Sequence, residues 1–485
     1  MKNESIYIDT HKWIPVGILK DPHKLVADLT VENLSVTSAA TWGQATNKPR
    51  FEELYQFSED GEWVRVPRGY QPDVVDGWQP SFYGPYVDHV NAINEAGHKE
   101  KPWPIFRRTL RENQLAPAQA LKSRRGLDAL LCLGCGKGKT SLALWQCSNI
   151  RGKTLIIVDR DFILHQWIKE IRDCYWYIPS LVGIIQGEEH QTVGEHFTVA
   201  MINTLRDRAD DYDEEFFSQF AHVIVDEGHV LASETFKTVL PRFLGTRLIL
   251  TATPDRKDGL APLFQYHAGG LDPVYVDVTP NMTSEWVIRR VPPIVDDSRM
   301  YKRVPGMRDR FGDPVLSLIR PKFDTAACSS DAMNQIVLND VDHYLRLGKR
   351  IMVLGPRVEQ LELLAQACED SGVKAGLVTG NVHKLKDRLE AFKEDVMFIT
   401  DKIAYKALDI PGLDTIINMF PTRDANFLRQ AKGRGDRLKV GKAQPLFICY
   451  SHAYVRSLAR VESDMIDVIK EIDPGAKVSV VNVRV

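Results

Sequence analysis

The sequence predicts an α/β protein with two tandem parallel-sheet units behind a small N-terminal accessory domain. Three observations carry that prediction. From about residue 105 to 275, short apolar runs (ALLCL, TLIIV, FTVAM, HVIVD, RLILT) alternate with amphipathic segments. The same rhythm returns later in RIMVLG, AGLVTG, VMFIT, TIINMF and PLFICY. Between the two stretches lies a run rich in Pro and Arg, RRVPPIVDDSRMYKRVPGMRDRFGDP, that breaks it. Apolar runs too short for helices, separated by helix-period segments, are the pattern of βαβ units around a parallel sheet.

In chain order, residues 1–100 form the accessory domain, with β-like runs such as EWVRVPRGY (Glu62–Tyr70) and many Trp, Tyr and Pro residues. Residues 101–280 form the first α/β unit, 281–330 a linker or inserted basic segment, and 331–485 the second unit. In RVEQLELLAQACEDSG, Val358, Leu361, Leu364, Ala365 and Cys368 share one helical face, which predicts a helix packed on the second sheet. A helix at about 453–471 and a short strand, VSVVNV, close the chain.

The 485 residues are 44% hydrophobic and 26% charged, values of an ordinary globular chain. No apolar run reaches the ~18 residues of a membrane span, so no membrane role is expected. The N-terminus MKNESIYIDTHKW has no apolar signal core, which predicts a cytoplasmic protein, bacterial or in an infected host. The formal net charge of −2 does not advertise nucleic acid, so any such partner must meet a local patch. Seven cysteines, an odd number, point to reduced thiols. Cys132 and Cys135 form a C-x-x-C, but no second pair completes a metal site. They read as a strand end and a loop residue.

The stretch ALLCLGCGKGKTSLALW is strand, Gly-rich turn, helix. Glycines let backbone N–H groups turn inward, and the helix N-terminus adds its positive end, so the turn suits phosphate. Lys139 would reach β- and γ-phosphates and the Thr140 hydroxyl would ligate Mg²⁺. Leu133 stands where the full pattern has Gly. HVIVDEGHVL ends a buried strand in Asp226 and Glu227: the first suits Mg²⁺ held through water, the second the attacking water. LILTATPDRKDG places Thr251 and Thr253 at another strand end. QAKGRGDR, in the second unit, offers Gln430, Arg434 and Arg437, the arginines as candidate fingers for the γ-phosphate.

With these elements in this order, residues of about 105–450 resemble a superfamily 2 helicase of the DExH (DEAH-like) type, whose two units are RecA-like domains. LRENQ resembles the upstream glutamine element, LGCGKGKT motif I, and TLIIVDRDFILHQW motif Ia. VAMINTL resembles the DNA-contacting segment before motif II, DEGH motif II, and TATP motif III. RIMVLGPRVEQLELL resembles motif IV, FITDKIAYKALDIPGLDTII motif V, and QAKGRGDR motif VI. The details QW, TATPDRKDG and ALDIPGLDTII are similar to the group holding UvsW-type phage recombination helicases, poxvirus transcript-release helicases and XPB-like helicases. Departures are Cys135 for the usual Thr, Gly228 for Ala, and Lys406-Ala407 for Glu-Gly.

The resemblance implies ATP and Mg²⁺ as cofactors. It implies ATP contacts from Gln114 (to adenine), Gly134, Cys135, Gly136, Lys137, Gly138, Lys139, Thr140, Ser141 and Asp409, with Gln430, Arg434 and Arg437 completing catalysis. His229, Thr251 and Thr253 would couple the ATP site to nucleic acid, which Thr204, Thr379, Gly380 and Thr400 would contact. The expected activity is an ATP-dependent DNA helicase or translocase acting on forked or branched DNA. The alternatives are a transcript-release motor or an RNA helicase. Partners would be nucleic acid and replication, recombination or transcription proteins. Arg289, Arg290, Arg299, Lys302, Arg303, Arg308 and Arg310 form a candidate duplex-contacting patch. Trp42, Trp63, Trp78, Phe82 and Tyr83 are candidates to stack on bases.

Overall fold

The computed structural model describes the chain except residues 1–4, 42–45, 80, 96–102, 135, 177–178, 189, 229–237, 253–255, 257, 281, 294–299, 309–313, 381–384, 405–409, 411, 436–443 and 484–485. Cys135, His229, Thr253, Asp409 and Arg437 therefore lie outside the described residues, as do Trp42, Arg299 and Arg310. The chain forms two compact units, Met1–Val278 and Thr279–Val485.

The main sheet of the first unit has eight strands. Their order is His190–Gln191, Val182–Gln186, Phe197–Met201, Thr154–Val158, His222–Val225, Thr246–Thr251, Ala129–Leu133 and Tyr275–Asp277. All neighbours run parallel except the edge pair Val182–Gln186 and His190–Gln191. The inner strands Ala129–Leu133, Thr154–Val158, His222–Val225 and Thr246–Thr251 are buried at every position. That burial explains their unbroken apolar text, because helices cover both faces of a parallel sheet. Helix Asp161–Cys174 is one cover. Ile163, Leu164, Trp167, Ile168 and Ile171 recur at helical spacing and are buried.

The accessory segment forms its own five-stranded sheet, ordered Gln56–Phe57, Trp63–Val66, Lys12–Pro15, Ile6–Ile8 and Phe82–Tyr83. Its core residues Ile6, Ile14, Val64 and Val66 pack in one cluster with Leu260, Leu263 and Tyr266 of the neighbouring α/β region. Gly69 permits this approach. Its N–H donates to the Tyr266 carbonyl at 2.8 Å. A Cβ there would lie 2.4 Å from both that oxygen and the Gly270 nitrogen. Of the aromatics expected to stack on bases, Trp63 and Trp78 are half-buried, Trp78 against this core, while Phe82 and Tyr83 are exposed.

The second unit has a seven-stranded, wholly parallel sheet. Its order is Ala375–Val378, Val396–Thr400, Ile351–Gly355, Thr415–Asn418, Leu446–Ser451, Glu285–Arg290 and Lys477–Asn482. Helix Val358–Asp370 buries Leu361, Leu364, Ala365 and Cys368, the face read from the sequence, while Val358 is half-buried. The chain ends in helix Arg456–Ile472 and the strand Lys477–Asn482.

The segment read as a linker supplies an inner strand of this sheet. In Glu285–Arg290, Trp286 and Ile288 alternate inward, and Trp286 stacks on Phe447 with ring centroids 4.2 Å apart. This corrects the expected basic patch. Arg289 pairs with Asp340, and Arg290 pairs with the Glu462 carboxylate, 2.6 Å from Nη2 and 3.0 Å from Nε. Both arginines are ion-paired to buried carboxylates of the fold, Arg289 half-buried and Arg290 at the exposed end of the strand. Lys302, Arg303 and Arg308 are exposed on the hairpin Tyr301–Arg308 with Pro314–Leu318.

Candidate nucleotide-binding site

The site candidates of the first unit gather at the carboxyl ends of three adjacent parallel strands, His222–Val225, Thr246–Thr251 and Ala129–Leu133. Open α/β sheets bind ligands at this edge. After Leu133 the chain turns through Gly136 (φ 75°) and Gly138 (φ 83°), then enters helix Lys139–Ile150. Both glycines hold left-handed conformations that a side chain would strain. A Cβ on Gly138 would also lie 2.2 Å from the Gln114 Nε2. Leu133 is the last residue of a buried strand, in register with Asp277, and not part of the turn. That placement explains why the glycine of the fuller motif is dispensable at this position.

Four side chains tie the loop down. Lys139 donates from Nζ to the Leu133 carbonyl at 3.0 Å and lies 3.7 Å from Glu227 Oε1. Lys137 turns its ammonium to Asp277 at 2.5 Å, and Gly134 N–H donates to the Asp277 carbonyl at 2.9 Å. The side chain expected to contact ATP at 137 is thus an anchor to the edge strand. Gln114 is 2% exposed; it donates to the Gly138 carbonyl at 3.2 Å and accepts from the Arg111 N–H at 2.9 Å. Its amide is engaged with the loop and with the start of its own helix, Glu112–Ser123, where an adenine contact was expected. Arg111 donates to the Gly136 carbonyl at 3.3 Å.

Thr140 is half-buried in the first turn of the loop helix. Ser141, expected near ATP, accepts instead from Arg108, 2.6 Å away, which also pairs with Glu170 at 2.6 Å. Asp226 and Glu227 follow strand His222–Val225. Asp226 Oδ2 accepts from the Trp167 indole at 2.8 Å, and Oδ1 accepts from the Glu227 N–H at 3.0 Å. Glu227 sits at φ 48°, a left-handed conformation that non-glycine residues seldom adopt. Desolvation first, and then the adjacent Glu227 charge, push the Asp226 carboxyl up to about 6. Gly228 is required by packing, since a Cβ there would lie 2.3 Å from Ile249 Cγ2. Thr251 is buried and in register with Cys132.

The remaining candidates are spread more widely. Thr204 follows strand Phe197–Met201 at the same sheet edge, and its hydroxyl accepts from the Gly187 N–H at 2.9 Å. In the second unit, Thr379 and Thr400 are buried at the carboxyl ends of paired strands, and Gly380 is exposed. Gln430 and Arg434 lie on helix Ala425–Gly435, one turn apart, and Arg434 is buried. Between them Lys432 is held by the Met282 carbonyl at 2.6 Å and by Asp473 at 3.2 Å.

Sequence reading missed Trp167, Arg111, Arg108 and Asp277 as parts of the site. The first three stand within or beside quoted motifs, but only the fold shows which atoms they hold. No described helix is long and apolar enough to cross a membrane.

Comparison with known proteins adds four findings. Residues 67–256 match the family described as type III restriction enzyme, res subunit. The putative ATP-dependent RNA helicase L396 of Acanthamoeba polyphaga mimivirus is 24% identical over 438 residues, covering 88% of this chain and 77% of that protein. The DNA 3'-5' translocase XPB2 of Sulfurisphaera tokodaii is 34% identical over 172 residues, but these are only 35% of this chain and 36% of that protein. Among solved structures, S. cerevisiae Dbp5 bound to RNA and ADP BeF3 aligns with a TM-score of 0.53 at 11% identity, over 82% of this chain and 93% of that one. Two parallel sheets with a phosphate-type loop at a strand end define a tandem RecA-like protein. Its sequence relatives are named as helicases and a DNA translocase, so the chain is similar to the superfamily 2 helicases.

Proposed function

We propose that this chain is an ATP-driven motor that unwinds or translocates along DNA, with forked and branched molecules as preferred substrates. The observation that carries the reading is the arrangement of Lys139, Asp226 and Glu227 around a glycine turn at one sheet edge. The residues fit Mg²⁺–ATP. Two adjacent carboxylates, one of them pushed up to about 6, are relieved by a divalent cation, and the turn's backbone suits phosphate. Bound Mg²⁺ would neutralise charge on the transferring phosphoryl group.

The chain's own groups divide the remaining work. Lys139 binds β- and γ-phosphate oxygens. Thr140 and Asp226 would hold the cation, and Trp167 fixes the Asp226 carboxylate by its Oδ2. Glu227 orients the attacking water. In the second unit, Gln430, Arg434 and Arg437 supply the cationic and polar groups for the γ-phosphate, and Asp409 a further nucleotide contact. Thr204, Thr379, Gly380 and Thr400 hold a strand through its phosphates, which needs few formal charges and suits a net charge of −2. His229, Thr251 and Thr253 couple the two activities. The setting is the cytoplasm, alongside replication, recombination or transcription proteins.

The name of the mimivirus relative supports a second reading, unwinding of RNA, and that of XPB2 supports the DNA reading. A strand-displacement assay separates them. Wild-type chain and Lys139→Ala are given a forked DNA and the matching RNA fork with ATP and Mg²⁺. Displacement of DNA by the wild type alone is expected. Displacement of RNA only would replace the DNA reading with the second one.

A further inference from the structure

A cavity of about 290 Å³ lies where the accessory sheet meets the start of the phosphate-loop strand, all within the first unit. One wall is apolar, formed by Ile8, Phe82, Tyr86, Val87 and Val90. Phe82 and Leu127, both lining it, are 46% and 40% exposed, so the cavity reaches solvent. Lys12, Arg68 and Arg124 also line it. A second cavity shares Gly69, Gln71, Arg124 and Gly269 with the first, which leaves room for a longer molecule.

The charges around this cavity do not balance. Lys12 and Arg68 are 3% and 5% exposed. Arg247, wholly buried in the same cluster, adds another cation, its guanidinium on the carbonyls of Thr10, Leu240 and Phe243. Against these stands Asp128, whose Oδ1 already accepts from Arg68 at 3.0 Å, Tyr86 at 3.1 Å and the Arg247 N–H at 2.8 Å. Asp9 is occupied by the Trp13 indole and the His11 N–H, and the exposed Asp28 accepts from the Tyr70 hydroxyl. Among the described residues Lys12 makes one hydrogen bond, to the Tyr70 carbonyl, where an ammonium has three donors. Arg68 Nε is buried without a hydrogen-bond partner among the described residues. Buried charges are normally paired and their donors satisfied, so the cluster is short of an anion.

We infer that this cavity binds a small organic anion, its carboxylate or phosphate held by Lys12 and Arg68 and its apolar part seated against Phe82, Tyr86 and Val90. Pockets of this kind are mostly apolar with a few convergent polar groups, and the volume suits a single aromatic ring with one acidic group. Such a ligand would join the accessory sheet to the segment 124–128 that leads into the phosphate loop. The inference does not depend on the motor reading, since no residue of the ATP site takes part.

The test is thermal unfolding and calorimetric titration of the full chain with benzoate, phenyl phosphate and inorganic phosphate, each against sodium chloride at equal ionic strength. The readout is the difference between wild type and Lys12→Met, because anion binding at the phosphate loop is common to both. Expected is saturable stabilisation by benzoate or phenyl phosphate, with affinity at least tenfold weaker in Lys12→Met. Comparing the two aromatic anions tells which head group is preferred. Inorganic phosphate should bind more weakly, lacking the apolar part. If Lys12→Met does not fold, Arg124→Gln takes its place. No stabilisation beyond chloride, or equal binding by wild type and the variant, would overturn the site. Equal difference signals from inorganic and phenyl phosphate would overturn its organic character.

Discussion

The Trp167 indole N–H donates to Asp226 Oδ2 at 2.8 Å, binding the helix Asp161–Cys174 to the acid that follows strand His222–Val225. This bond favours the ionised carboxylate, while desolvation and Glu227 oppose it. Replacing Trp167 with Phe removes the donor and keeps most of the packing, so Asp226 should rise above its present value of about 6. An acid that holds a cation must be ionised, so activity depending on it is present above this value and lost below. The acidic limb of kcat/KM for ATP is therefore expected to move to higher pH in Trp167→Phe, by about half to one unit. A pH–rate profile measured on both proteins checks this. An unmoved limb would remove Trp167 from the site.

Asp226 should also cost stability when no cation is present. Its folded-state value lies above that of an unfolded Asp. The stabilisation it gives is therefore complete below the unfolded value, near 3.9, and is lost as pH rises through about 6. At pH 7.5 the substitution Asp226→Asn is expected to stabilise the nucleotide-free chain by on the order of 1–3 kcal/mol, while abolishing hydrolysis. Chemical denaturation at pH 4 and pH 7.5 tests the sign, with the gain present only at the higher pH.

Gly228 leaves no room for a side chain against Ile249. In Gly228→Ala the new methyl meets Ile249 Cγ2 at 2.3 Å. Overpacking of this kind costs about 1–3 kcal/mol. In an Ile249→Ala background the same change should be close to neutral. Urea unfolding of the four proteins of this double-mutant cycle measures the coupling. Additive losses would contradict the contact.

The site was legible in the sequence where chemistry and backbone demands coincide. The loop Gly134–Thr140 needed glycines at left-handed positions, and the structure has Gly136 and Gly138 there. Asp226 and Glu227 followed an unmistakable buried strand. Side-chain direction was not legible: Lys137, Ser141 and Gln114 stand inside the motifs, but point to Asp277, Arg108 and Gly138. The strand Glu285–Arg290 was hidden because its two arginines look solvated in one dimension. Asp340 and Glu462, 51 and 172 residues away from their partners, neutralise them. The accessory sheet has strands of two to four residues, and two of its four neighbouring pairs, Trp63–Val66 with Lys12–Pro15 and Ile6–Ile8 with Phe82–Tyr83, join strands far apart in sequence, so spacing could not predict its order.

Arg68 and Asp128 form a buried pair, 3.0 Å apart, joining the accessory sheet to the motor region. Asp128→Asn would leave Arg68, Lys12 and Arg247 without their shared carboxylate. Breaking one side of such a pair costs about 3–5 kcal/mol. Denaturant unfolding should show a loss of this size, well beyond that of the exposed pair Lys20–Asp76, which Lys20→Ala would change by less than about 1 kcal/mol. Similar losses in both variants would mean the buried pair is not what holds the two parts together.

The central claim is that ATP hydrolysis at Lys139 is coupled to nucleic acid. The most direct measurement is steady-state ATP hydrolysis by wild type and Lys139→Ala, alone and with single-stranded DNA, duplex, fork, four-way junction and RNA. The account predicts stimulation by DNA, strongest with forks and junctions, and a loss of about 100-fold or more in Lys139→Ala. Hydrolysis that no nucleic acid stimulates, or that survives in Lys139→Ala, would contradict it.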